Sequence, residues 1–190
     1  MSKIDIPTYA DVEKAHRIVQ NYAHRTPVLS SVSINSIVGA NLHFKCENLQ
    51  KVGAFKFRGA CNAVFSLSEE DAQKGVGTHS SGNHAAALAL AAKMRGINAH
   101  IVMPNNSPEI KKKAVAGYGA KITFCKPTLQ ARESTLAKVI EETGATEIHP
   151  YNNFNVIAGQ GTAAKELIED KGRFDIIMTP VGGGGLLSGT

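Results

Sequence analysis

An alternation of short apolar strands with helices, beginning near residue 75, limits the fold of this chain more than any other feature of its sequence. Strands are predicted at residues 76–80, 97–103, 121–125, 146–149 and 174–181. Helices are predicted between them, at residues 83–95, 107–116 and 129–143 and from about residue 156. Because strands joined by helices pair in parallel through right-handed crossovers, the predicted fold class is α/β, with a parallel sheet and helices on its faces.

The sequence before residue 75 lacks this alternation. It predicts a helix at residues 9–22, a hairpin through residues 38–46 and a further helix that starts near Lys56. The asparagine- and proline-rich stretch 150–155 is the best candidate for a crossing between two domains.

Size and composition exclude several classes of protein. The 190 residues and 43% hydrophobic content suffice for one ordinary domain or for parts of two. The longest apolar run, residues 85–92, is too short to cross a bilayer, and the N-terminus has no signal-peptide core, so we expect a cytoplasmic protein. Cys46, Cys61 and Cys125 are odd in number and widely spaced, which suggests neither a zinc site nor a disulfide framework.

The net charge of +5 raises the question of nucleic-acid binding. The densest basic cluster, Lys111, Lys112 and Lys113, lies in a predicted helix, and few aromatic residues are present to stack on bases. A solvated helix face accounts for this cluster, so we expect no nucleic-acid partner. A modest positive surplus also suits a protein that binds small anions.

Lys56 lies between Phe55 and Phe57 in the stretch GAFKFRGA. In the ordinary arrangement, a lysine lies along apolar neighbours and keeps its ammonium group in water. The alternative is burial beside the two rings and next to Arg58, which would lower the pKa of Lys56 and leave a neutral amine. A neutral amine is a nucleophile for carbonyl groups, so Lys56 is a candidate catalytic residue.

Ser80, Ser81, Gly82 and Asn83 join the end of a predicted strand to the start of a helix. A capped helix start explains these residues without any ligand. The same geometry also directs several backbone N–H groups to one point, where a carboxylate or phosphate would bind. Asn83 and His84 add side chains that can form hydrogen bonds with a ligand oxygen.

Gly182, Gly183, Gly184 and Gly185 follow the last predicted strand and precede apolar residues that resume a helix. A flexible linker is the alternative, but linkers seldom follow directly on a buried strand. Without Cβ atoms, these residues allow the backbone to wrap closely around a phosphate. The pattern differs from the two common nucleotide-binding glycine motifs, which favours a smaller phosphate ester.

Together, these three groups of residues predict one cofactor. A nucleophilic amine, a carboxylate-binding helix start and a phosphate-binding loop match a phosphate-bearing aldehyde and an amino acid substrate. Pyridoxal 5'-phosphate (PLP) is such an aldehyde, and lysine amines join it covalently.

Five motifs carry a resemblance to a known family. ENLQKVGAFKFRGA, SSGNHAAALALAAK, AVAGYGAKI, IAGQGTAAKEL and VGGGGLLSG occur in this order along nearly the whole chain. They resemble the fold-type II PLP enzymes, in the branch of serine racemases and serine/threonine dehydratases. The resemblance implies a two-domain parallel-sheet fold of the tryptophan synthase beta-like kind, and a homodimer. Residues 1–74 and 151–190 would belong to the large domain, and residues 75–150 would form the small one.

The resemblance also implies roles for individual residues. Lys56 would hold the cofactor covalently, Phe55 would pack against its ring, and Asn83 would form a hydrogen bond with its ring hydroxyl. Its phosphate would bind at Gly182, Gly183, Gly184 and Gly185. The substrate carboxylate would bind at Ser80, Ser81, Gly82, Asn83 and His84.

The implied reaction begins when Lys56 removes the Cα proton of a small amino acid, namely serine, threonine or hydroxyaspartate. Loss of the β-hydroxyl would give an enamine, which water hydrolyses to a 2-oxo acid and ammonia, whereas return of a proton to the opposite face would give D-serine. Many biosynthetic threonine dehydratases have alanine at the position of Ser81. A serine there can act as the second acid/base, which favours a racemase/dehydratase over a dehydratase alone.

Three alternatives stay open at this point. Relatives that dehydrate 3-hydroxyaspartate also carry this serine, and cysteine synthase-type β-replacement enzymes share the fold. A non-catalytic alternative is an inactive, truncated paralogue that retains only affinity for a ligand.

The resemblance implies that the large domain is incomplete at Thr190, because relatives continue past the glycine loop. Residues 174–181 would then be a strand with an exposed edge. A polar residue facing the pyridine nitrogen and acidic ligands for a divalent cation would lie beyond Thr190, so no metal ligands are assigned in this sequence.

Overall fold

The computed structural model of the chain describes residues 6–190. Residues 1–5 lie outside the described residues. They are the first residues of the predicted segment 1–74 and of the N-terminus in which the sequence shows no signal-peptide core. The helices are α1 (Tyr9–Val19), α2 (Val32–Val38), α3 (Lys56–Phe65), α4 (Glu69–Lys74), α5 (Asn83–Arg95), α6 (Glu109–Gly117), α7 (Leu129–Thr143), α8 (Phe154–Lys171) and α9 (Gly185–Gly189). The strands are β1 (Val28–Leu29), β2 (Phe44–Lys45), β3 (Val76–His79), β4 (Ala99–Pro104), β5 (Lys121–Cys125) and β6 (Thr146–Glu147).

The main sheet has four parallel strands in the order β5-β4-β3-β6, which confirms the predicted α/β class. Val76 of β3 pairs with Ala99 of β4 on one side and with Thr146 of β6 on the other. Because the carboxyl ends of parallel strands lie at one edge of a sheet, the residues that follow β3 and β6 are neighbours there.

Local signals in the sequence determine where the helices around the sheet begin and end. The Thr128 hydroxyl accepts a hydrogen bond from the Ala131 N–H and caps α7, which ends at Gly144 in the left-handed conformation. Helix α5 likewise ends at Gly96 with φ 74°. Alanine and leucine side chains on several sides of α5 are buried, because the helix packs against both the sheet and α3.

Helices α3 and α8 cross at two glycines, and this crossing positions Lys56. A Cβ added to Gly59 would lie 2.7 Å from the Val156 carbonyl oxygen, and one added to Gly159 would lie 2.7 Å from the Arg58 carbonyl oxygen. Only glycine permits so close an approach of the two backbones. The crossing therefore holds the helix that begins at Lys56 against α8.

A buried ionic cluster, made of Lys45, Glu47, Arg58 and Glu166, ties the same helices to the N-terminal part of the chain. Arg58 has no exposed side-chain surface, and its guanidinium donates at 2.8 Å to both Glu47 and Glu166. The Lys45 ammonium lies 2.8 Å from Glu166. Burial alone would lower the pKa of Arg58, but the hydrogen bonds to Glu47 and Glu166 outweigh it and raise that pKa.

Two predictions of secondary structure are wrong. Residues 174–181 pair with no strand in the described part of the chain, and Ile176 and Met178 are 75% and 80% exposed. An extended segment becomes a strand only when a neighbour accepts and donates its backbone hydrogen bonds. Residues 38–46 form no hairpin either: β2 pairs with β1, and the helix α2 separates the two strands.

The principal core does not stop at the predicted domain boundaries. It contains side chains from α3, β3, α5 and α8, and therefore from all three predicted segments. The division into a large and a small domain stays a prediction. Within residues 6–190, none of the helices combines the length and the apolar character needed to cross a bilayer.

Candidate active site

Residues 148–151, here called the 148–151 segment, follow β6 and touch all three groups of residues that the sequence singles out. The Ile148 carbonyl oxygen lies 3.1 Å from His84 Nε2, and the Pro150 carbonyl oxygen accepts a hydrogen bond from Lys56 Nζ at 2.7 Å. The Tyr151 ring packs so closely on Gly183 that a Cβ there would overlap the ring carbons. The lysine, the start of α5 and the glycine loop therefore lie around one short segment.

His149 fixes the turn of this segment. Its Nδ1 accepts hydrogen bonds from the N–H groups of Tyr151 at 3.3 Å and Asn152 at 2.9 Å. A ring nitrogen that accepts hydrogen bonds cannot carry a proton, so His149 is held in one tautomer when neutral. Burial, followed by the charge of His79, lowers the pKa of His149 and favours this neutral form.

Lys56 is the first residue of α3, and its amine lies in a partly buried, mostly apolar place. Nζ is 5.2 Å from the centroid of the Phe55 ring, and its hydrogen bond to the Pro150 carbonyl involves no opposite charge. Burial lowers the pKa of Lys56, because the ammonium form loses hydration without gaining an ion pair. The structure thus shows the desolvated lysine that the sequence predicts as one alternative.

The start of α5 presents the backbone N–H groups that the sequence predicts. The hydrogen bonds of this helix begin with the Ala86 N–H, which donates to the Gly82 carbonyl at 3.3 Å. The N–H groups of Asn83, His84 and Ala85 precede that bond, so they have no partner inside the helix. The Asn83 side chain is exposed, and Ser80 and Ser81 are half-buried at the entrance to the helix.

His84 has a different position from the other residues of this group. Its side chain is buried, and burial lowers the pKa of His84 to about 3. The ring is therefore neutral, and its Nε2–H donates to the Ile148 carbonyl, which can only accept. The imidazole supports the 148–151 segment through Nε2, whereas its buried Nδ1 has no hydrogen-bond partner among residues 6–190. The backbone N–H of His84 belongs to the helix start, where a carboxylate would bind.

Lys111 lies beside the start of α5, although the sequence assigns it only to a solvated helix face. A Cβ added to Gly82 would lie 3.4 Å from Lys111 Nζ. This ammonium group adds positive charge where the backbone N–H groups converge, and both features favour a carboxylate. Sequence reasoning missed this contact because α6 is distant from Gly82 along the chain.

The glycine loop, Gly182 to Gly185, has one packed side and one open side. A Cβ on Gly185 would lie 3.0 Å from the Tyr151 carbonyl oxygen, whereas no described atom lies within 4 Å of such a Cβ on Gly182 or Gly184. Gly184 has φ 83°, a conformation that favours glycine. The open side is a place where a phosphate can approach the backbone closely.

Gln160 adds a residue to this site that sequence reasoning did not assign. It is fully buried on α8, and a Cβ on Gly185 would lie 3.0 Å from its Oε1. The motif IAGQGTAAKEL contains this residue, but one sequence alone does not show that its side chain faces the glycine loop. Among residues 6–190, no group of three or more His, Cys, Asp or Glu side chains is arranged to hold a metal ion.

Comparisons with known proteins agree with this geometry. Serine racemase of Dictyostelium discoideum is 55% identical over 183 residues, which cover 96% of this chain and 56% of that protein. The beta-hydroxyaspartate dehydratase of Paracoccus denitrificans (strain Pd 1222) is 53% identical over 185 residues, which cover 97% of this chain and 59% of that protein. The crystal structure of the D. discoideum serine racemase matches with a TM-score of 0.93 at 54% identity, over 96% of this chain and 59% of the other.

This chain therefore spans little more than half the length of the relatives it matches. The family described as "Pyridoxal-phosphate dependent enzyme" matches residues 19–190, nearly the whole sequence. The predicted resemblance is confirmed by this match and by the two relatives. The chain belongs to the family of pyridoxal-phosphate dependent enzymes.

Proposed function

We propose that the chain is the lysine-bearing part of a PLP-dependent racemase and dehydratase that acts on serine and related hydroxy amino acids. The products would be D-serine, or a 2-oxo acid and ammonia. The observation that carries this proposal is the convergence of Lys56, the start of α5 and the glycine loop on the 148–151 segment. The serine racemase relative supports the choice of substrate.

The residues around this segment fit PLP. The glycine loop has an open side where a Cβ would meet no atom of the described chain, which suits a phosphate. The Lys56 amine has a lowered pKa, as a nucleophile for an aldehyde requires. Phe55 supplies an aromatic surface next to that amine, and the exposed Asn83 amide supplies hydrogen bonds for a ring hydroxyl.

Two side chains of this chain would move protons in the reaction. PLP, when bound, makes the Cα proton of an amino acid acidic enough for a side-chain base to remove. The Lys56 amine is the base, because burial lowers its pKa and so favours the unprotonated form. The N–H groups at the start of α5 hold the substrate carboxylate and so fix which face of Cα is presented to Lys56.

Ser81 would be the second acid/base and deliver a proton to the opposite face. Its position at the entrance to α5, half-buried beside the proposed carboxylate site, supports this role. We expect Ser81→Ala to abolish formation of D-serine while pyruvate formation from L-serine persists, measured by chromatography of both products. Unchanged racemisation would remove the proposed role of Ser81.

The covalent capture of PLP by Lys56 tests the proposal directly. The chain is mixed with PLP, the visible band of lysine-bound PLP is recorded, and the labelled lysine is identified after borohydride reduction. Lys51→Arg is a matched control for Lys56→Arg, because Lys51 Nζ also lies near a phenylalanine ring, 5.6 Å from the centroid of Phe57. We expect the band to vanish in Lys56→Arg only; no band in the wild type, or a label elsewhere, would contradict the proposal.

A second candidate function is dehydration of 3-hydroxyaspartate. The observation that favours it is the relative from P. denitrificans, which is 53% identical. Release of ammonia from L-serine and from 3-hydroxyaspartate, compared at equal concentrations, separates the two substrates. Incorporation of an added thiol into the product would instead indicate β-replacement, and PLP binding without any product would indicate the non-catalytic alternative.

Three further properties belong to the same proposal. The family resemblance implies a division into domains at residues 74 and 150 and a homodimer. The sequence implies a cytoplasmic location. Free thiols at Cys46, Cys61 and Cys125 are consistent with a reducing compartment. Sedimentation of the chain with and without PLP would test the dimer.

A further inference from the structure

Gln160 is a buried polar side chain that the proposed reaction does not use. Its side chain has no exposed surface, and neither its amide oxygen nor its amide nitrogen has a hydrogen-bond partner among residues 6–190. Burying a primary amide without partners is unfavourable, and such groups are rare in folded proteins. The amide therefore points to a contact that forms only when something else is bound.

Two glycines flank this side chain and show what it faces. A Cβ on Gly59, in the helix that begins with Lys56, would lie 3.0 Å from Gln160 Cγ. On the other side, a Cβ on Gly185 would lie 3.0 Å from Gln160 Oε1. The amide thus lies between the helix of the reactive lysine and the glycine loop.

We propose that Gln160 is a positioning residue for the glycine loop, and that its amide completes its hydrogen bonds there when a phosphate ester binds. The amide oxygen can accept from a loop N–H, and the amide nitrogen can donate to a phosphate oxygen. Gln160 would thereby set the distance between the phosphate and Lys56. This inference rests on the proposed function, in which the phosphate of PLP occupies the loop.

A role in packing alone predicts a different behaviour. An apolar side chain of the same shape would then serve as well or better, because it leaves no unpaired polar atom. Methionine is such a side chain. If Gln160 serves packing alone, replacing it by methionine should leave the binding of phosphate unchanged. If its amide contacts the bound phosphate, the same replacement should raise or preserve the stability of the ligand-free chain and weaken the binding of phosphate.

Thermal unfolding of Gln160→Met measures both effects. The midpoint is recorded without ligand and over a range of concentrations of inorganic phosphate and of PLP. We expect an equal or higher midpoint without ligand, and an affinity for both anions about tenfold lower or weaker still, as for one hydrogen bond to a charged group. Gln130→Met, on an exposed position of α7, is the matched control and should behave as the wild type.

Gln160→Glu gives a second test that does not depend on the fold of the methionine variant. Glutamate has the same shape, but its negative charge beside the loop should repel phosphate at neutral pH. Phosphate affinity, relative to the wild type, should recover as the pH falls and the carboxyl group becomes protonated. A side chain at this position that faces away from the bound phosphate would produce no such pH dependence.

The outcomes separate this inference from the proposed function. Unchanged phosphate affinity in Gln160→Met, or the same pH dependence in Gln160→Glu as in the wild type, would overturn it, and so would a wild type that phosphate does not stabilise. If borohydride fixes no PLP on Lys56 while phosphate still stabilises the wild type more than the variants, the proposed reaction fails and the role of Gln160 stands.

Discussion

The acid–base chemistry of this chain depends on how little the surroundings of Lys56 stabilise a positive charge. Its amine donates to a carbonyl oxygen and lies near an aromatic ring, and within residues 6–190 it forms no ion pair with a carboxylate. The contrast with Lys45 is instructive, because that lysine is buried as well but lies 2.8 Å from Glu166. Burial of the Lys56 amine without a carboxylate partner favours its neutral form.

The reactivity of Lys56 towards an amine reagent should therefore titrate at a lower pH than that of a lysine in a short peptide. Trace labelling with acetic anhydride between pH 6 and pH 11, about the range over which lysine pKa values vary in proteins, gives the midpoint by mass spectrometry. Phe55→Ser should move the midpoint upward, because it admits water to the amine. A midpoint equal to that of the peptide would show that Lys56 is hydrated like a surface lysine.

Helices α3 and α8 form the element on which the site depends, since α3 begins with Lys56 and α8 carries Gln160. Their glycine crossing and the buried ionic cluster hold them together in different ways. The crossing depends on the absence of two side chains, whereas the cluster depends on four charged groups remaining paired.

Gly159→Ala should destabilise the chain by about 1–3 kcal/mol, because the added methyl group would lie 2.7 Å from the Arg58 carbonyl oxygen and force the helices apart. Urea unfolding followed by circular dichroism measures this change. Gly117→Ala on α6 is the control, because no described atom lies within 4 Å of its added Cβ. Equal losses in the two variants would indicate that the close approach of α3 and α8 is unimportant.

Glu166 should make the stability of the chain sensitive to acid. Burial alone would raise the pKa of Glu166, but Arg58 and then Lys45 outweigh it and lower that pKa below 4.5, the ordinary value for glutamate. The charged form therefore stabilises the fold above pH 4.5, and this stabilisation is lost as the pH falls through the lowered pKa.

We expect Glu166→Gln to lower the free energy of unfolding at pH 7 by about 3 kcal/mol, the lower end for a broken buried ion pair, since Arg58 keeps Glu47 and Lys45 keeps only Asp170 at 3.7 Å. The same variant should lose less of its remaining stability than the wild type when the pH is lowered below 4.5. Urea unfolding over this pH range provides the measurement. Parallel pH profiles for the two proteins would show that Glu166 is not the group responsible.

At the scale of the whole molecule, the segment between α8 and the glycine loop, residues 174–181, presents an apolar surface. Ile176, Met178 and Val181 are 75%, 80% and 63% exposed. Ile176 and Met178 line a cavity of about 510 Å³ together with Phe44 and Phe174. Exposed apolar surface that is continuous over several residues promotes association between molecules.

Met178→Lys should therefore reduce self-association of the chain at micromolar concentration, without a large change in the midpoint of thermal unfolding. Light scattering measures the association. Asp175→Asn, at an exposed position in the same segment, changes the net charge by the same one unit and is the control for charge alone. If both variants reduce association equally, net charge is responsible and the apolar surface is not.

Much of this molecule follows from local signals in its sequence. Helix α7 occupies residues 129–143 as predicted, and the alternation of strands with helices predicts the parallel sheet. Residues 174–181 have the composition of a strand, but a strand also requires a partner, which no local pattern supplies.

The candidate site likewise combines features that the sequence reveals with features that only the folded chain reveals. Lys56 and the glycine loop are recognisable from their neighbours in the sequence, because an apolar setting and missing Cβ atoms are local properties. The positions of Lys111 beside Gly82 and of Gln160 beside Gly185 arise from contacts between distant parts of the chain. A single sequence without its fold does not reveal them.

The 148–151 segment gives the site an unusual kind of interdependence. Four consecutive residues serve the amine, the helix start and the loop at once, so a shift of the Pro150 carbonyl would be transmitted to His84 and to Gly183 together. Double-mutant cycles that combine changes at any two of these places should show coupling energies far from zero. Evolution or engineering at one of them would then be constrained by the other two.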